Sequence, residues 1–185
     1  MKTLLNKNAQ EHIPEILPVI PTMDVVVFPQ TIVPLLVLDE RIIKGINRTL
    51  EESKLVLLLA AKKQQDNQGA IGTKDLYTVG TIATVMRLIK IPEGGIKILV
   101  QGLCKAHVKH LSTDEDVLTA MVERVNTDSE MNEPELIAQI KNIKALSEKM
   151  AATGHTFSPD FHIILSKMQT ADKIADFILS HLNLS

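Results

Sequence analysis

Apolar and polar positions fall into two textures along the chain. From Ile16 to about Val125, short runs rich in Val, Ile, Leu and Thr are punctuated by Pro and Gly, the pattern of strands. From Asn132 to Leu184 the apolar residues recur at intervals of three and four and Gly is scarce, the pattern of helices. Strands followed by helices predict an α+β chain or two subdomains, with a β part over 12–126 and a helical part over 127–185.

In the first part, Leu17–Phe28 predicts a strand whose start is confined by Pro18 and Pro21 to an edge or irregular position. Pro29 turns the chain, and Ile32–Leu38 predicts a second extended segment. Asp39 is suited to cap a helix from about Glu40 to Glu52. Its apolar positions Ile42, Ile43, Ile46 and Leu50 share one side, while Glu40, Arg41, Lys44 and Arg48 face elsewhere. Leu55–Ala61 is apolar throughout, as expected of a fully buried strand. Lys62–Asp75 reads as a polar loop. Val79–Ile91 and Ile96–Gln101 flank Pro92-Glu93-Gly94-Gly95, a hairpin with Gly available for positive φ. Leu103–Leu111 and Val117–Val125 complete about six strands, which with one helix point to a small barrel or folded sheet, because closure removes exposed edges.

The acidic stretch 126–135 is the natural linker; residues 112–135 carry eight acidic and one basic side chain. Beyond it the periodicity predicts three helices. Leu136, Ile140, Ile143, Leu146 and Met150 line the first, which Gly154 ends. Ser158-Pro159-Asp160 supplies an N-cap, a first-turn proline and an acid for the second, lined by Phe161, Ile164, Leu165 and Met168. Thr170 caps the third, striped by Ile174, Phe177, Ile178 and Leu182.

Composition narrows the function. The net charge over 185 residues is −2, and aromatics are 3% with no Trp. Neither favours a nucleic-acid binder, which is normally basic and needs stacking platforms. The longest apolar run, Leu55–Ala61, is far short of the ~20 residues that span a bilayer, so no membrane role is expected. The polar segment Met1–Gln10 does not read as a signal peptide. A single cysteine, Cys104, suits a reducing, cytoplasmic compartment.

Candidate chemistry is sparse. Gly69-Ala70-Ile71-Gly72-Thr73-Lys74 has the wrong spacing for a phosphate-binding loop. Cys104, His107 and His110 are soft ligands, but on a strand positions 104 and 107 point to opposite faces and no fourth ligand stands at a suitable spacing. No Ser occupies a nucleophile-elbow context. His155 and His162 read as exposed polar residues, and Asp114-Glu115-Asp116 as a solvated turn and not a calcium loop. No metal, cofactor or catalytic residue is expected.

Several motifs stand in register with a known family. The stretch Ile16–Leu38, with Asp24, Val25, Val26, Val27, Phe28, Pro29, Pro34 and Leu35, resembles the opening of the N-terminal domain of the Lon family of ATP-dependent proteases. The similarity continues through Asp75–Thr81, Lys90–Gly94 and Lys97–Gly102, and returns in Ala171–Leu182. One departure follows the Gly102-Leu103 turn: where the family often has Arg, this chain has Cys104, Lys105, His107 and His110, so a contact made there would differ.

The resemblance implies a PUA-like β-barrel subdomain followed by a helical one. It implies a unit that helps recognise unfolded or damaged proteins and helps organise a homo-hexamer with the remaining Lon modules. The AAA+ ATPase and Ser-Lys protease modules of that family are not in this sequence, so the expectation is a non-catalytic role. A receptor for unfolded chains exposes apolar surface. The proline-bounded loop offers Met23, Phe28, Pro29 and Ile32 as candidates; the structural reading of Phe28 and Ile32 is that they fill the barrel end. Glu40, Arg41 and Lys44 on the first helix are electrostatic candidates, against the plain reading of a solvated helix face. The alternatives are a stand-alone PUA-like RNA-binding or adaptor module, and a purely structural role in assembly.

Overall fold

Strand β1 (Ile16–Thr22) settles the question raised by its two prolines. Residues 16–18 pair antiparallel with strand β6 (Val117–Arg124), and residues 19–22 pair parallel with strand β3 (Leu55–Ala60). Each half of β1 is therefore paired on one side only, which leaves Pro18 and Pro21 the free side that a residue without an N–H requires. The computed structural model describes residues 13–23, 25–62, 71–125, 134–152 and 160–181. It divides into two compact units, Met1–Val125 and Asn126–Ser185.

Among the described residues, the first unit is a six-stranded sheet with one α-helix. Strand β2 (Ile32–Val37) leads into helix α1 (Glu40–Glu51), which crosses to β3 and so permits the parallel β1–β3 pair. Strand β4 (Val79–Lys90) pairs with β3 and with strand β5 (Ile96–Asp114). β5 also pairs with β2 along 96–101 and with β6 along 106–114. The pairings β1–β3–β4–β5–β6–β1 thus return on themselves, and β2 hangs on β5 as an edge.

Burial follows the apolar pattern where strands face inward. Leu55 to Leu59 are all buried, as continuous apolarity predicts. Leu17, Val19, Ile42, Ile46, Ile82 and Ile98 belong to the same core. The hairpin at 92–95 forms as expected, with Gly94 and Gly95 at φ 109° and 86°.

Two strand boundaries depart from the sequence expectation. The strand expected over Leu17–Phe28 stops at Thr22, and Val25–Phe28 is irregular. Val27 is buried there and its carbonyl accepts a hydrogen bond from the Thr81 hydroxyl at 2.6 Å, so this chain is fastened to β4 through a side chain and not through a ladder. The break expected between Gln101 and Leu103 does not occur. β5 runs through Gly102, and the bend is absorbed by a register shift opposite Ile82 and Ala83. Gly102 stays in the ladder because another backbone lies against it: a Cβ there would stand 2.3 Å from the Phe28 carbonyl oxygen.

The β5–β6 connection is a two-residue turn. Glu115 and Asp116 have φ of 44° and 68°, the two positive values of a type I′ turn, which matches the twist of the flanking strands. The Asp114-Glu115-Asp116 cluster is therefore a tight hairpin turn.

The second unit holds helices α2 (Pro134–Ala152), α3 (Phe161–Lys167) and α4 (Ala171–His181). Phe161, Leu165 and Ile174 form its core, with Ile140, Met168, Phe177 and Ile178 packed on them. The rings of Phe161 and Phe177 stack at 4.9 Å, and that of His181 packs edge-on to Phe161 at 5.2 Å. Three expectations are corrected here. Ile164 is exposed, and so are Ile143, Leu146 and Met150 of the expected α2 stripe. Of that stripe, Ile140 does pack on this core; on the same helix Ser147 is buried, and the Lys144 ammonium caps the end of α3, donating to the carbonyls of Ser166 and Met168 at 3.3 and 2.7 Å. The cap position of α3 is Asp160, and its carboxylate makes no cap hydrogen bond. The Thr170 hydroxyl has no hydrogen-bond partner among the described residues, and Thr170 enters α4 through its carbonyl, which accepts from Ile174. Asp24, the linker residues 126–133, Gly154, His155, Ser158, Pro159, Leu182 and most of the Lys62–Asp75 loop lie outside the described residues.

Two substitutions test this backbone. Gly102→Ala forces a methyl into the Phe28 carbonyl and is expected to cost about 1–3 kcal/mol, read from urea unfolding. Asp116→Gly removes the left-handed strain of a non-glycine residue and is expected to add about 0.5–1 kcal/mol in the same assay.

Candidate functional site

The sequence Phe28-Pro29-Gln30-Thr31 folds as a turn for local reasons. Proline presets the first corner, and Gln30 takes the second at φ 67°, the positive value that a type II turn demands. Both the amide and the hydroxyl of Thr31 donate to the Phe28 carbonyl, at 3.2 and 2.7 Å. The turn is then bracketed on β5: Gln30 N–H donates to the Gly102 carbonyl at 2.8 Å, and Gly102 N–H to the Thr31 carbonyl at 2.9 Å. These bonds hold a non-glycine residue in the left-handed region and set where β2 begins.

The four apolar candidates are divided by this anchoring. Phe28 and Pro29 are half-buried in the turn, and Ile32 follows directly on β2 with 53% of its surface exposed. Met23 is also exposed, but it sits at the end of β1, where Thr22 accepts from Ala61 N–H at 2.8 Å.

Ile32 begins a row that the sequence reading missed. Strand alternation turns Leu35 and Val37 inward and Ile32, Pro34 and Leu36 outward, with Leu38 following; Leu36 and Leu38 are 61% and 66% exposed. The register sets Pro34 opposite Leu99 and Leu36 opposite Lys97. Because Ile32–Leu38 is apolar on both faces, its pattern reads as buried. Pro34 was the available signal, since proline within a run marks an edge strand. Antiparallel alternation from the Gly102–Thr31 bond places Pro34 at a position facing away from β5, so its missing donor lies on the free edge of β2.

On α1, the charged candidates are partly engaged. The Asp39 carboxylate accepts from Arg41 N–H at 2.9 Å and forms a 2.7 Å ion pair with the Arg41 guanidinium. Lys44 donates to the Glu115 carbonyl at 2.8 Å, and Arg48 pairs with the Glu115 carboxylate. Lys44 and Arg48 thus tie α1 to the β5–β6 turn. Glu40 is exposed on a groove of about 640 Å³ that Leu38, Ile43, Asn47 and Lys90 also line. Arg41 holds Asp39 below the usual carboxylate range, chiefly through the side-chain hydrogen bond, and Arg48 does the same for Glu115.

Elsewhere the donors do not converge. Cys104 pairs across from Ile82, and partial burial pushes its thiol up, which disfavours the reactive thiolate. His107 and His110 are exposed. Among the described residues no three His, Cys, Asp or Glu side chains gather as metal ligands, and no helix is long and apolar enough to cross a membrane.

Residues 16–185 match the model of the ATP-dependent protease La (Lon) substrate-binding domain. The chain belongs to this family. A Lon protease of Geobacter metallireducens is 33% identical over 96% of the chain, and one of Trichlorobacter lovleyi is 35% identical over 97%. The chain spans 22% and 24% of the lengths of these two relatives. The N-terminal domain of a Mycobacterium avium complex Lon protease superposes with a TM-score of 0.64 at 20% identity, covering 92% of this chain and 84% of that one. A Lon N-terminal domain protein of Xanthomonas campestris gives 0.62 at 14% identity, with the same coverage. Both support the mixed α+β fold of the Lon domain, and the family match does not favour the RNA-binding alternative.

The N-cap of α1 carries a testable pH dependence. Asp39→Ala removes the bond to Arg41 N–H and is expected to cost about 1 kcal/mol at neutral pH. With its folded pKa below the ordinary 3.8, Asp39 binds a proton more readily in the unfolded chain. Its charge contribution is therefore complete above that value and lost as pH falls through the folded pKa. The stability gap between wild type and Asp39→Asn should close as urea unfolding is carried from pH 7 to below about pH 4.

Proposed function

We propose that this chain is a non-catalytic substrate-recognition and assembly domain of a Lon-like ATP-dependent protease, which binds unfolded or damaged proteins through exposed apolar surface. The observation that carries the reading is the outward row Ile32, Pro34, Leu36 and Leu38, set beside the Phe28–Thr31 turn on an edge strand. Unfolded chains offer apolar side chains, and a contiguous exposed apolar row is their complement. Met23 adds an adaptable thioether at the end of β1. Phe28 and Pro29 shape the turn that presents Ile32, and Glu40, Arg41 and Lys44 place charge beyond Leu38.

The closed cycle of strand pairings supports the PUA-like barrel for residues 12–126, with the helical subdomain at 127–185. In this reading the partners are unfolded proteins and the remaining modules of a cytoplasmic homo-hexamer, and neither nucleic acid nor membrane is required. One domain needs only weak contacts, because six copies on a ring raise the effective concentration of each site.

The test is an NMR titration of the chain with a permanently unfolded and a native form of one protein. Shifts are expected only with the unfolded form, at Met23 and along 28–38. The double substitution Met23→Asp/Ile32→Asp, at two exposed positions, should weaken that response at least fivefold while the unfolding midpoint holds. Equal response to both forms, or no effect of the double substitution in the folded protein, would remove the reading.

A further inference from the structure

The register across three strands assembles a surface that is apolar and cationic at once. On the outward face, Pro34 of β2 stands beside Leu99 of β5, which stands beside Arg87 of β4. In the next row, Leu36 stands beside Lys97, which stands beside Ile89. Arg87 and Lys97 are exposed, and neither makes an ion pair among the described residues. These rows contain no acidic side chain. The nearest acids in the chain's course, Asp39, Glu40 and Glu93, lie beyond the end of the β2–β5 ladder, and the Asp39 carboxylate is engaged by Arg41.

We propose that this face selects extended polypeptide segments in which carboxylates are interspersed among apolar side chains. The proposal rests on the reading of the domain as a polypeptide receptor and names the class of segment that it prefers. Successive outward rows are about 7 Å apart. An extended segment presents same-face side chains at that spacing, so a carboxylate and an apolar group two residues apart meet adjacent rows. Two unpaired cations in apolar surroundings complement such carboxylates and repel basic segments. A second copy of this face is a poor occupant, because it would bring only cations to cations. Capture by ladder extension is also disfavoured, since Pro34 withholds a donor from the free edge of β2. Recognition therefore runs through side chains on the face, which tolerates varied sequences and discriminates by charge.

Three labelled 12-residue peptides test this. Each carries Leu alternating along one face with Glu, Gln or Lys, and each is titrated into the 185-residue chain by fluorescence anisotropy. The Glu peptide should bind at least fivefold more tightly than the Gln peptide and more than tenfold more tightly than the Lys peptide. That advantage should vanish in Arg87→Glu/Lys97→Glu, with the unfolding midpoint of the chain unchanged, and fade as salt rises. Equal binding of all three peptides would overturn the charge preference and leave the receptor reading standing. Failure of all three, together with failure of the unfolded protein to bind, would remove both. Phosphatidylglycerol vesicles that bind through Arg87 and Lys97, with no response to the Glu peptide, would reassign the face to a lipid surface and overturn the proposal.

Discussion

A contact between two backbones, with no side chain between them, holds the candidate surface in place. Gly102 lies against the Phe28 carbonyl, and its N–H and C=O are bonded to Thr31 and Gln30. Two hydrogen bonds at 2.8 and 2.9 Å and a separation that excludes a methyl group make one joint of the Phe28–Thr31 turn and β5. That joint sets the register of β2, and the register decides which of its residues meet solvent. A slip of one residue would exchange Leu35 and Val37 for Ile32, Pro34 and Leu36. The apolar row of the proposed receptor and the cations beside it thus depend on a glycine that is not one of them.

The same economy appears around α1. Its buried face, Ile42, Gly45, Ile46 and Thr49, packs on the sheet, with Thr49 donating to the Leu55 carbonyl at 2.8 Å. Its polar face is tied to the β5–β6 turn by Lys44 and Arg48. These exposed charges contribute little stability each, but they order a turn whose two residues both sit at positive φ. Of the charged candidates, Glu40 is the one that faces the neighbouring groove, and Arg41 is occupied with the helix cap. The apolar row therefore has the stronger claim to binding than the helix.

The features legible along the chain were local ones. Asp39 as a cap, the period of α1, the burial of Leu55–Leu59 and the Gly-Gly hairpin follow from φ/ψ preference and from spacing within one segment. Ile32 was legible because a proline-bounded loop precedes it. The tertiary structure decided the rest. Leu36, Leu38 and Ile89 carry no local mark of exposure, since an apolar residue on a strand reads alike whether a neighbouring element covers its face or not. The inward face of α2 likewise keeps Ile140 of its apolar stripe but adds Lys144, which reaches the end of another helix. Faces, closure and register depend on which backbones come together across tens of residues, and periodicity within a segment holds no record of the partner.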